Sequence, residues 1–78
     1  MNRKEFEEHV KKIKELYPAG AKIRLIKMHD RQAPPEGTVG RIRLVDDIGT
    51  VHVNWETGSS LGLIPEVDEF ELVSYDEK

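Results

Sequence analysis

The side chains able to carry chemistry are few and scattered. Histidines stand at positions 9, 29 and 52, in a helical stretch, a loop and a strand, without the close pairing that a metal site uses. Met28-His29-Asp30 contains a His-Asp pair, but metal phosphohydrolases need further histidines on helices, and here the pair opens a loop. Asp46-Asp47 falls where a turn is expected, and Asp favours turns because its carboxylate bonds to nearby backbone N–H groups; that accounts for the pair without catalysis. Ser59 and Ser60 lack a Gly-x-Ser-x-Gly elbow, and no Gly-rich phosphate loop is present. The chain has no cysteine, which removes thiol nucleophiles, thiolate zinc sites and disulfides. A chain of 78 residues also leaves little room for a substrate cavity of roughly 300 Å³. These residues predict no enzyme: no catalytic residue, no metal and no cofactor.

Binding chemistry remains. Residues 22–43 hold Lys22, Arg24, Lys27, Arg31, Arg41 and Arg43 against only Asp30 and Glu36. If the first two strands pair, their outward faces gather Lys22, Arg24, Arg41 and Arg43, and His52 and Asn54 extend the strip onto a third strand. Such a strip can track phosphates, so nucleic acid is one expected partner. Against it stand a formal net charge of −3 and an aromatic content of 6%, which leaves few rings for base stacking. The charge is uneven: residues 1–44 carry +5 and residues 45–78 carry −8. A protein is therefore the favoured expected partner, met by Pro34 and Pro35 in a stiff loop and by Ile64 and Pro65 where the chain turns. A second copy, bound through the N-terminal helix, is one form of that partner.

Elements must position these groups. In residues 2–17 the apolar residues Phe6, Val10, Ile13, Leu16 and Tyr17 fall on one arc of a helix. Asn2 can cap it, Glu7 and Glu8 precede Lys11 and Lys12 by one turn, and Pro18 with Gly20 ends it. His9 lies at the edge of the stripe and reads as a half-buried structural histidine. After Gly20 the period changes to 2. Ile23 and Leu25 oppose Lys22 and Arg24, and Ile26 breaks the alternation, which predicts a bulge or a strand end. A second strand spans 38–45, a third carries Val51, Val53 and Trp55, a fourth follows the Glu56-Thr57-Gly58 turn over 59–64, and a fifth spans 69–73. The expected core is Ile23, Leu25, Ile42, Leu44, Val51, Val53, Trp55, Leu61, Leu63, Phe70 and Leu72.

The expected fold is therefore mainly β with one N-terminal α-helix: a five-stranded SH3-like small barrel, whose closure would remove exposed edges. The organisation is one helix over 1–18, a barrel over 19–75 and an acidic, polar tail over 76–78. Tyr17-Pro18-Ala19-Gly20, Ala33-Pro34-Pro35-Glu36-Gly37-Thr38, the run from Asp46 to Trp55 and the run from Gly58 to Pro65 together resemble a bacterial family known as domain of unknown function 4314. The resemblance covers about residues 16–73 and leaves most of the helix outside. It implies an origin in bacteria, phages or mobile elements and brings no established activity. The Asp46–Trp55 hairpin is also similar to Mib–Herc2 and KOW-type small barrels. No apolar run approaches the roughly 20 residues that span a bilayer, and Met1-Asn2-Arg3-Lys4-Glu5 opens no secretory signal. A cytoplasmic protein without a membrane partner is expected.

Overall fold

The computed structural model describes residues 1–75; the expected tail at 76–78 lies outside the described residues. The elements are α1 (Arg3–Leu16), β1 (Lys22–Lys27), β2 (Val39–Val45), β3 (Val51–Trp55) and β4 (Glu69–Ser74). The Asn2 side chain accepts the Glu5 N–H at 2.8 Å and so caps α1, while Arg3 and Glu7 pair one turn apart at 3.4 Å. At Tyr17, next to Pro18, the backbone leaves the helical region.

Only the centre of the apolar stripe is buried. Val10 and Ile13 are buried, whereas Phe6 and Leu16 stay exposed. Ile13 and Val10 land on the turn after β2. Ile13 Cδ1 and Val10 Cγ2 lie 3.4 and 3.7 Å from where a Cβ would sit on Gly49, whose φ of +87° also suits a residue without one. At the far end of α1, Tyr17 meets Phe70 with ring centroids 5.1 Å apart. The helix therefore packs on its own sheet.

The four strands form one antiparallel sheet in the order β3-β2-β1-β4. Its inner face presents Ile23, Leu25, Ile42, Val51, Val53 and Trp55, which join Ile13, Ala21 and Leu63 in one cluster. Phe70, Leu72 and Val45 pack against it, half-buried. The register shifts between Leu25 and Lys27, so of the bulge or strand end expected at Ile26 it is the bulge that forms.

Three expectations are corrected. Leu44 is exposed, because the register also shifts between Ile42 and Leu44; Leu44 then stands opposite His52, and Val45 returns inward opposite Val51. The expected fourth strand is reduced to one bridge, in which Leu63 and Val51 exchange N–H···O bonds of 2.8 Å each. The backbone groups of Leu61 are bonded to side chains instead: Leu61 O accepts the Trp55 Nε1–H at 2.8 Å, and the Leu61 N–H is held by Ser59 Oγ at 3.2 Å. Among the described residues the sheet is open, with β3 and β4 at its edges, and the five-stranded closed barrel is not formed.

Candidate functional site

Pairing register assembles the cationic face. Lys22 stands opposite Arg41, Arg41 opposite Asn54, and Lys22 opposite Ser74, so one polar row crosses all four strands. Arg24, next along the same face of β1, lies between Val39 and Glu71. Alternation with the buried Ile23, Leu25 and Ile42 turns this row away from the core and from α1. Of the six residues expected there, Lys22, Arg24, Arg41 and Asn54 come together. Arg43 is exposed at the β2 irregularity, beyond the row, and His52 is drawn to Asp46. Arg24 Nη1 reaches Glu71 Oε2 at 3.5 Å, and half-buried Arg41 donates to Gly20 O at 3.0 Å.

Asp46 organises the β2–β3 turn. Its Oδ1 accepts the N–H groups of Ile48 and Thr50 at 3.0 and 2.9 Å, and its Oδ2 meets His52 Nε2 at 2.8 Å. The His52 hydrogen bond holds the Asp46 carboxyl below the usual carboxylate range; the two backbone N–H bonds add to this, and partial burial opposes it. This carboxylate closes a turn, as its sequence position implies.

The four residues expected to meet a protein divide between two segments. Pro34 is buried and Pro35 exposed in the β1–β2 loop, which is fastened to β1 by the Gly37 N–H on Leu25 O at 2.7 Å. Ile64 is exposed and Pro65 half-buried in the turn before β4. That turn is fastened to itself. The N–H groups of Val67 and Asp68 both donate to Ile64 O, at 2.9 and 2.8 Å, and the Ile64 N–H donates to Asp68 Oδ2 at 2.9 Å. Glu66 pairs with His9 of α1, which gives that histidine its structural role. Of the two loop prolines, Pro35 is thus the one whose ring is open to a partner.

Sequence reasoning missed Val67, the second exposed apolar residue of the turn, and the Glu66–His9 clip. The signal for the turn was present in Pro65 and Asp68, since an Asp bonding back to a backbone N–H marks a closed turn. Two shallow depressions lie along α1, one by Lys14 and Asp47 and one by His9 and Lys12, and none of the expected contact residues lines either. Among the described residues no three His, Cys, Asp or Glu side chains are grouped to hold a metal ion, and no helix is long and apolar enough to cross a membrane.

A family model described as Domain of unknown function (DUF4314) matches residues 6–73, and the chain belongs to that family. The match begins ahead of the expected residue 16 and so takes in Val10 and Ile13, the part of α1 that the core uses. No curated protein and no solved structure matches the chain.

Proposed function

We propose that this DUF4314 protein is a non-catalytic interaction module that docks a protein partner through the Ile64–Asp68 turn. One observation carries the reading: Ile64 and Val67, 46% and 55% exposed, stand on a turn whose three internal hydrogen bonds hold it in one shape. Two apolar side chains fixed in advance lose little freedom on binding, which favours affinity. Glu66, Asp68 and Glu69 adjoin them in the chain, so the fitting partner has an apolar recess with a basic rim. The strand order, with β1 between β2 and β4, is also that of SH3-like barrels, where the first loop and the link before the last strand flank the peptide groove; that likeness supports the same surface, with Pro35 at its margin.

Affinity capture from bacterial lysate, with and without nuclease, tests the reading. A partner that survives nuclease and is lost with Ile64→Asp or Val67→Asp is expected, while both variants melt like the parent. Sedimentation identifies the case in which the partner is a second copy. Capture that persists in both variants, or that vanishes with nuclease, overturns the assignment.

A further inference from the structure

We propose that the outer face of β1, β2 and β3 binds the backbone of single-stranded nucleic acid, independently of the Ile64–Asp68 turn. The three strands contain five Lys or Arg residues and no Asp or Glu. Register concentrates this charge: Lys22 and Arg41 are cross-strand neighbours, and Arg24 follows Lys22 on the same face. Asn54 adds a neutral donor beside Arg41. Adjacent strands lie about 4.8 Å apart, so the cationic ribbon is roughly 10 Å wide from β1 to β3. It is a single ribbon, not two rows set apart by a groove, and it suits one phosphate chain better than a duplex.

Acidic groups frame the ribbon. Glu71 stands beside Arg24 and Glu69 opposite Lys27 on β4, and Asp46 is held by His52 at the end of β2. Repulsion from these carboxylates excludes a polyanion from β4 and confines it to β1–β3. No aromatic side chain shares the outward row, so the contact is to phosphates and carries no base preference.

Fluorescence anisotropy with labelled dT20, on the full chain, tests this. The expected result is binding at low salt that weakens as salt rises, with a log–log slope of roughly −2 to −3 for three or four phosphate contacts. Lys22→Gln with Arg24→Gln should weaken binding at least tenfold. Glu71→Gln releases Arg24 and should tighten binding several-fold, a gain that a poorly folded protein cannot imitate. Ile64→Asp should leave dT20 binding unchanged, which separates this surface from the protein-docking turn. Absence of binding at low salt, indifference to the double substitution, or weaker binding by Glu71→Gln overturns the proposal. Equal or tighter binding of a labelled poly-glutamate peptide also overturns it and assigns the face to an acidic protein segment.

Discussion

Gly40 and Trp55 face each other across β2 and β3, and the indole occupies the space that a side chain at 40 would need. A Cβ there would lie 2.9 Å from Trp55 Cε3 and 2.6 Å from Val53 Cγ1, with Asn54 O at 3.0 Å. Two of these neighbours are buried core side chains that cannot retreat. Gly40→Ala should therefore destabilise the fold by about 1–3 kcal/mol, although alanine suits a strand better than glycine does. Urea unfolding checks it, and an unchanged midpoint would contradict this packing.

The same indole holds the Ser59–Leu63 segment, through its N–H on Leu61 O. Trp55→Phe keeps an aromatic ring but loses that bond and leaves some volume unfilled. A cost of about 1–3 kcal/mol is expected. Hydrogen exchange supplies the more specific readout: the Leu63 amide, bonded to Val51 O, should lose protection more than the amides of the β1–β2 ladder.

Two residues of the helix stripe should respond differently to truncation. Ile13→Ala removes a buried side chain from contact with the Gly49 turn and should cost about 2–4 kcal/mol. Phe6→Ala, at an exposed position, should cost less than about 1 kcal/mol. Thermal melts of the two variants compare them directly. Equal losses would mean that the helix docks along its whole stripe.

Acid should weaken the β2–β3 turn. The Asp46 carboxyl is held below its ordinary value of 3.8, chiefly by the His52 hydrogen bond, so its ionised form favours the folded state. That stabilisation is complete above the ordinary value and is lost as pH falls through the lower folded-state value. Asp46→Asn should be less stable than the parent at pH 7, and the gap should close as pH falls below about 4. Denaturant titrations at pH 7, 4 and 3 measure the gap; one that stays constant would leave the charge without a role.

Much of this was legible in the residues, because alternation and turn chemistry are local. Ile23 and Leu25, Val51 to Trp55, the Asp46–Gly49 turn and the bulge at Ile26 could be read from neighbours alone. What escaped depends on residues far apart in the chain. Leu44 keeps its parity with Ile42 in the sequence, and only pairing with β3 inserts the irregularity that turns it outward. The Ser59–Ile64 stretch has apolar spacing fit for a strand, but the Trp55 indole competes for its backbone. In the candidate surfaces, the row of Lys22, Arg41 and Asn54 followed from strand facing, whereas the Glu66–His9 clip joins residues 57 positions apart and left no local trace.

The irregularity in β2 has a consequence for chain length. Ile42 pairs with Val53, Leu44 with His52 and Val45 with Val51, which leaves Arg43 as one residue more than the ladder can use. Deleting Arg43 alone would preserve every pair and every facing residue, while a deletion at Ile42 or Val45 would put the wrong side chain into the interior. Arg43 is thus a spacer, whose removal would relax the extra twist that such an insertion brings. A strand counted forward from Gly40 and one counted back from Val45 are out of phase, and position 43 is where the two counts are reconciled.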